Sequence, residues 1–448
     1  MKRKLLTALL LTSMLTTALS GCTRTGTTDV SATEGGTNAG SSSSEVAMTV
    51  AWWGNQVRNE RTQKAIDLFE QENAGVKIDG QFSEWGDYWT KLSTSSAGNM
   101  LPDVVQMDYQ YLEMYVVNGL LEDLTPYIES GALDVSDVPE SVINSGRVGD
   151  GIYAIPIGIN APALVYNKKI VEEAGVTIKD NMTVDEFIEI SKIIQGKTGY
   201  KTSLPYGFGE NWIEYLLRAE GIQYFDDSGK SFGVDSGEDF QKYFSLTMQG
   251  IEEGWHLPPD IFAEILAGTI EQTPLVYGSN PETMSWCTFA FSNQLAALQK
   301  AGGDDFEVGI TTWPSDDAAL SNYLKPSQFF AVAAGGKNID SAIKFVDFWT
   351  NSVEANKILL GDRGVPASSV VSEGIMSELT NLEKMATMYI NEVVTPNSST
   401  INPPVPEKAG EIKNLLISLE EQMCYGQITP EAAAQKLYEE GSKILAGN

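Results

Sequence analysis

Val46-Ala47-Met48-Thr49-Val50-Ala51-Trp52-Trp53 reads as a strand, and the spacing of the segments after it decides the fold. A helical stretch with Ala65, Ile66 and Phe69 on one face separates it from a second strand, Val76 to Phe82. Another helical stretch, with Trp89 and Leu92, leads to a third strand, Val104-Val105-Gln106-Met107, announced by Leu101-Pro102-Asp103. Strands alternating with helices at this spacing predict an α/β fold of right-handed βαβ units, with a mostly parallel sheet flanked by helices. Ligands bind outside the carboxyl ends of such strands, which here carry Trp53-Gly54-Asn55 and Asp108-Tyr109. Neighbouring extended residues point to opposite faces. Of Trp52 and Trp53, one is therefore expected in the core and Trp53, the last of its strand, in the opening.

Downstream, a new unit begins near Gly151-Ile152-Tyr153-Ala154-Ile155-Pro156 and passes through Ala163-Leu164-Val165-Tyr166-Asn167. Thr183 and Glu186 form a T-x-x-E capping box ahead of Phe187, Ile190 and Ile194. Phe306 to Thr312 and Phe329 to Ala333 read as buried strands, and Ser341 to Trp349 as a helix packed on one of them. The tail is helical, with amphipathic runs over 376–393, 411–424 and 430–445, the last opened by Thr429 and Pro430.

Upstream, Lys2, Arg3 and Lys4 precede an apolar stretch from Leu5 to Leu19 that is too short to span a bilayer, the pattern of an export signal over 1–21. Its end, Leu19-Ser20-Gly21-Cys22, resembles the lipobox of bacterial lipoproteins, which implies that Cys22 is acylated after cleavage. Residues 22–45, rich in Thr, Ser and Gly, read as a tether; roughly 20 flexible residues span about 25 Å. The expected place is the outer face of the cell membrane, lipid-anchored. A formal charge of −30 makes nucleic acid a poor partner. Cys287 and Cys424 are left to pair or to stay free in a body held mainly by its core.

The order of several segments along the body resembles the family 1 extracellular solute-binding proteins, the carbohydrate-binding subunits of ABC importers. They are Ala51-Trp52-Trp53-Gly54, Leu101 to Asp108, Gly119-Leu120-Leu121-Glu122-Asp123-Leu124, Tyr153-Ala154-Ile155-Pro156, Leu164-Val165-Tyr166-Asn167-Lys168, Trp286 upstream of Asn293, and Ala342 to Phe348. The Trp-Trp-Gly and Gln-Met-Asp segments look closest to binders of plant cell-wall oligosaccharides. The resemblance implies a monomer of two α/β lobes, each built on a mostly parallel sheet. One lobe would hold 46–159 and 329–388, the other 160–328 and 389–448, with hinges that close on an oligosaccharide presented to the membrane permease.

A pyranose offers an apolar C–H face and a rim of hydroxyls, so its site needs flat aromatic surface and fixed donors and acceptors. Among nine tryptophans, the candidates are Trp53, Trp85 in a polar loop, Trp212 in a Gly-rich loop, and Trp286, which matches the family's aromatic on the second lobe; Trp53 and Trp286 are expected to face each other. Trp89 and Trp349 read as core. Polar candidates are Asn55, Arg58, Asp108, Tyr109, Asn160, Asn280, Gln328 and Arg363, since carboxylates and guanidinium forks suit vicinal diols. Asp108 could equally cap the next helix, and Arg363 could satisfy a buried loop. The rival reading is an extracellular lyase or glycosidase, which needs only two carboxylates among 60 acidic residues. Other chemistries are poorly served. His256 is the single histidine, in a structural Gly-Trp-His-Leu-Pro-Pro loop, and no HExxH, GxSxG or CxxC occurs. Gly196-Lys197-Thr198 and Gly229-Lys230-Ser231 lack the upstream glycine of a phosphate loop. No cofactor or metal is expected.

Overall fold

A computed structural model describes residues 46–98, 100–206, 209–262 and 269–447. Residues 1–45, on which the expected export signal, Cys22 and the expected tether fall, lie outside the described residues. Three sheets occur among them. The largest takes the order β2 (Val76–Ser83), β1 (Val46–Trp53), β3 (Val104–Met107), β10 (Lys325–Val332), β6 (Ile155–Asn160). A small ribbon pairs β4 (Arg147–Val148) with β5 (Gly151–Ile152), and a third sheet takes the order β8 (Cys287–Phe291), β7 (Pro162–Asn167), β9 (Val308–Thr311).

The first sheet is mixed. β1 pairs in parallel with β2 and β3, whereas β10 runs antiparallel to both β3 and β6. The third sheet is wholly antiparallel, which corrects the expectation of a mostly parallel sheet in each half. Parallel pairing needs a crossover between paired strands, and βαβ spacing provides it only up to β3. Later strands arrive from distant parts of the chain, and their direction follows from where they re-enter.

Period-two alternation sorts the first sheet's side chains. Met48, Val50 and Trp52 face the helices Gln56–Glu72 and Ile339–Asn351, packing with Ala65, Ile66, Phe69, Phe345 and Trp349. Ala51 and Trp53 face the helices Trp85–Ala97 and Tyr109–Val117, packing with Tyr88, Leu92, Leu112 and Tyr115. The two tryptophans therefore do point apart, but both are buried. The first of these apolar layers continues past Ala161, between β6 and β7, to Ala163, Val165 and Ala290 of the third sheet. That sheet's other face carries Leu164, Cys287 and Phe289 against the helices Val184–Thr198, Gly209–Arg218, Ala409–Cys424 and Pro430–Leu445. The Thr183–Glu186 capping box forms as the sequence predicts. Cys287 is buried, Cys424 half-buried, and both thiols are free. His256 is buried too, and Nδ1 lies 2.8 Å from the Thr202 carbonyl. Burial holds its pKa down to about 4.

Candidate functional site

Because β10 is antiparallel to its neighbours, its first residues lie beside the last residues of β3 and β6; Lys325 pairs with Asn160, and Phe329 with Met107. This edge borders a cavity of about 730 Å³. Its walls include Asp108 and Tyr109 after β3, Asn160 at the end of β6, Lys325 to Gln328, the turn Phe291 to Ala296 after β8, and the loop 360–366. The cavity therefore stands between the first and third sheets, at the carboxyl ends of β3 and β6, where strand geometry favours ligands.

The loop 360–366 reaches this edge through two glycines. A Cβ on Gly158 would lie 2.2 Å from the Arg363 carbonyl oxygen, and Gly364 has φ +101°. With neither side chain in the way, Ile159 and Val365 exchange backbone hydrogen bonds of 2.8 and 3.0 Å. The loop delivers Asp362, whose Oδ2 accepts from Arg58 Nε at 2.6 Å, while its carbonyl accepts from Nη2 at 3.0 Å. Nη1 of Arg58 reaches Gln328 Oε1 at 3.3 Å and the Trp53 carbonyl at 3.4 Å. The fork of Arg58 is thus held by protein on all three nitrogens.

Arg363 turns the other way. It is buried, with Nε donating to Gln106 at 2.9 Å and Nη2 to Thr62 at 2.9 Å, and its guanidinium lies 5.2 Å from the Trp349 ring centre. Burial, and the like charge of Arg58 beside it, depress its pKa to about 9. Of its two sequence readings, the side chain follows the structural one. Asp108 does cap the next helix, accepting from Gln110 N at 3.1 Å through Oδ1, yet it also lines the cavity, and burial raises its pKa. Tyr109 stacks on Phe329, with ring centres 6.1 Å apart, and donates its hydroxyl to the Asn402 carbonyl at 2.9 Å.

Six candidates thus meet at the cavity: Arg58, Asp108, Tyr109, Asn160, Gln328 and Arg363. Six do not. Asn55 caps the helix Gln56–Glu72, accepting from Arg58 N at 2.9 Å. Asn280 stays in an exposed turn, accepting from Glu282 N. Trp212 and Trp286 are core residues, 1% and 0% exposed, which overturns their placement in the opening. Trp286 immediately precedes β8, and its indole N–H donates to Thr202 Oγ1 at 2.8 Å, which anchors it inward. Trp53 is 7% exposed, closed over by Trp85, Tyr88 and Trp89 at 5.0, 5.2 and 5.5 Å. The expected Trp53–Trp286 sandwich is therefore excluded; the two rings belong to different cores. Trp85, 41% exposed, opens the helix after β2 at the same sheet edge, outside the cavity walls.

Several wall residues escape a reading of the sequence: Lys325, Asp362, Ser292, Asn293 and Glu383. Asp362 stands beside Arg363 in Gly361-Asp362-Arg363-Gly364, and the need of Arg58 for an acid is the available signal. Lys325 has its Nζ 4.9 Å from the Phe291 ring centre, a contact between sheets that no sequence pattern announces.

Residues 64–387 match the profile of the bacterial extracellular solute-binding proteins. The chain belongs to that family. Among similar solute-binding proteins, a maltotriose-binding protein of Pyrococcus abyssi is 24% identical over 65% of this chain and 60% of its own length; the chain thus spans about three fifths of that relative. A solved family 1 extracellular solute-binding protein from Alicyclobacillus acidocaldarius is 26% identical, with a TM-score of 0.80 over 90% of this chain and 98% of its own. An oligogalacturonide-binding protein from Yersinia enterocolitica shares the fold at 20% identity, with a TM-score of 0.73 over 89% and 99%. No helix among the described residues is long and apolar enough to cross a membrane.

Proposed function

We propose that this solute-binding protein captures a neutral oligosaccharide between its two large sheets and hands it to an ABC-type importer, held at the outer membrane face by a lipid on Cys22. The observation that carries the reading is the 730 Å³ cavity at the strand ends, walled in part by carboxylate, amide and hydroxyl groups, with the Arg58 guanidinium bonded to protein on all three nitrogens and that of Arg363 buried and turned inward through Nε and Nη2. A family whose relatives include a maltotriose binder supports a sugar.

Neutrality follows from the committed arginines. An oligouronide brings one carboxylate per residue, and the best receiver, a guanidinium fork, is occupied in Arg58 and buried in Arg363. Arg61 is likewise turned away, donating to the Leu359 carbonyl at 2.9 Å. Among the described wall residues, Lys325 is the cation left facing the opening, and Asp108 stands near it. The cavity's acids also argue for binding over hydrolysis. Asp362 is paired with Arg58, and Glu383 caps its own helix at Thr380. The lobes are taken as 46–159 with 329–388 and 160–328 with 389–448, hinged near Asn160 and Phe329.

Calorimetry with a panel of neutral oligosaccharides and oligogalacturonides, followed by chromatography of the sugar, tests this. Binding of an intact neutral sugar is expected. Cleavage would favour the enzyme, binding of the oligogalacturonides alone would overturn neutrality, and silence across the panel would remove the sugar reading. Cys22→Ala should move the protein from the membrane to the soluble fraction.

A further inference from the structure

The chain passes from the first sheet to the third at Ala161, between β6 and β7, and returns through residues 322–324 into β10. It crosses again over 395–408, from the helical turns Tyr389–Val394 to the helix Ala409–Cys424. These last two passages lie side by side. Ser399 N donates to the Asn322 carbonyl at 2.9 Å, and Ser399 Oγ to the Leu320 carbonyl at 2.7 Å. One side chain holds both. Arg218, the last residue of the helix Gly209–Arg218, is 5% exposed. Its Nε donates to the Ser321 carbonyl at 3.1 Å, its Nη2 to Ser399 Oγ and the Thr400 carbonyl at 2.6 and 3.0 Å, and its Nη1 to Asn402 Oδ1 at 2.5 Å. The guanidinium also lies 5.0 Å from the Tyr323 ring centre. Glu214, one turn earlier, supplies the counter-charge and accepts from the Asn402 side-chain amide.

A buried cation stays where its hydrogen bonds are satisfied, and the acceptors of Arg218 lie on the two passages or next to them. Asn402 meets the first sheet as well, because its carbonyl accepts from the Tyr109 hydroxyl at 2.9 Å. Tyr109 stands in the cavity wall, whereas Arg218 and Asn402 do not. When two bodies rotate about each other, every passage between them must twist, and untied passages twist independently. Two passages bonded to each other and to one buried guanidinium move together. We infer that Arg218 is a hinge clamp, which joins the two passages into one pivot and fixes Asn402 as the stop on which Tyr109, and with it the cavity wall, closes. Arg218 thus acts as a positioning residue, out of reach of any ligand in the cavity. This rests on the hinged two-lobe reading and on no choice of ligand.

The test uses the ligand-free protein and small-angle scattering. Arg218→Lys keeps the charge and loses the fork, and Asn402→Ala loses the side chain held by Arg218 and keeps the carbonyl. Each should raise the radius of gyration by about 5%, on the order of 1 Å for a body of roughly 400 residues. Tyr109→Phe should raise it alone and add nothing in either variant, because the three groups act in series. A merely structural arginine would lower the melting point of Arg218→Lys and leave the radius of the folded protein at the parent's value. Parental radii in Arg218→Lys and Asn402→Ala, with Tyr109→Phe expanded, overturn the clamp and keep the hinge; parental radii in all three overturn both. A further rise when Tyr109→Phe is added to either variant also overturns the clamp. If Arg218→Lys does not fold, Asn402→Ala carries the comparison. Hydrogen exchange on the parent needs no variant: the Ser399 amide should exchange as slowly as the amides of the helix Gly209–Arg218, and exchange at the rate of an exposed loop overturns the clamp. A sugar panel that stays silent changes none of these readings, so the sugar reading and the clamp fail separately.

Discussion

Two aromatic clusters, one beside each large sheet, look alike in sequence and are opposite in structure. Trp53, Trp85, Tyr88, Trp89 and Tyr111 form a chain of ring contacts at 4.2 to 6.4 Å that ends on Trp85, 41% exposed. Trp212, Trp286, Phe289 and Trp313 form the other, through contacts at 4.8 and 6.1 Å and, for Trp286, through Phe187 at 5.8 Å; every one of these residues is buried. A tryptophan at a strand end is thus a surface for ligand only when no helix covers it. The helix Trp85–Ala97 covers Trp53 but, by starting at Trp85, leaves its own first residue open.

The largest expected effect separates the clusters by stability. Trp286→Ala removes a fully buried ring and the partner of Thr202, and should cost about 3–5 kcal/mol, read as a much lower ligand-free melting point. A variant that melts like the parent would return Trp286 to the ligand site.

Next comes a buried acid behind the second cluster. Glu420 is 3% exposed, accepts from the Tyr243 hydroxyl, and has its pKa raised by burial to about 8 from an ordinary 4.5. Between those values the folded state holds a proton that the unfolded chain releases. Its contribution is therefore full below pH 4.5 and is lost as pH rises toward 8. Glu420→Gln keeps an acceptor for Tyr243 and should flatten this decline, a difference on the order of 2 kcal/mol across pH 5 to 8. Parallel melting-versus-pH curves for the two proteins would contradict it.

Trp85, outside the cavity walls but at the same sheet edge, reads how far the ligand extends: Trp85→Ala should weaken binding of an oligosaccharide long enough to pass beyond Asp108 about tenfold, or about 1.4 kcal/mol, and leave a shorter sugar unchanged. Unchanged affinity for the longer sugar would confine the ligand to the cavity. The smallest effect falls on the contact that joins the first sheet to the segment held by Arg218, whose Nη1 and Nη2 donate to Asn402 and Ser399 at 2.5 and 2.6 Å. Tyr109→Phe removes the hydroxyl bond to the Asn402 carbonyl and should cost about 1 kcal/mol, visible as a slightly lower melting point and, without ligand, a larger radius of gyration. An unchanged radius would show that this bond does not hold the sheets together.

The elements themselves are legible in the sequence. β1 and β3 occupy the residues expected of them, and the long helices Ala409–Cys424 and Pro430–Leu445 fall where their periodicity places them. Half of the candidate site is legible as well, through residues at strand ends such as Asp108 and Asn160 and through Gln328 within β10. The misses share a cause. Its strand-end position points Trp53 toward the opening, a Gly-rich loop Trp212 and the family's aromatic position Trp286, but burial depends on what packs above a residue; Lys325 and Asp362 act through partners 34 and 304 residues away, Phe291 and Arg58.

The properties that the sequence determined by itself are therefore mostly local: strand and helix positions, the capping box, the composition of residues 1–45, and the run of segments that marks the family. Apart from that run, which spans most of the chain, each depends on spacing within a few residues, where backbone geometry leaves little choice. Only the tertiary structure decided strand direction in the third sheet, which arginine faces the opening, and which tryptophans are closed over. Those outcomes depend on chain re-entry and on charge pairing across hundreds of residues, and many partners would satisfy the same side chain until the fold selects one.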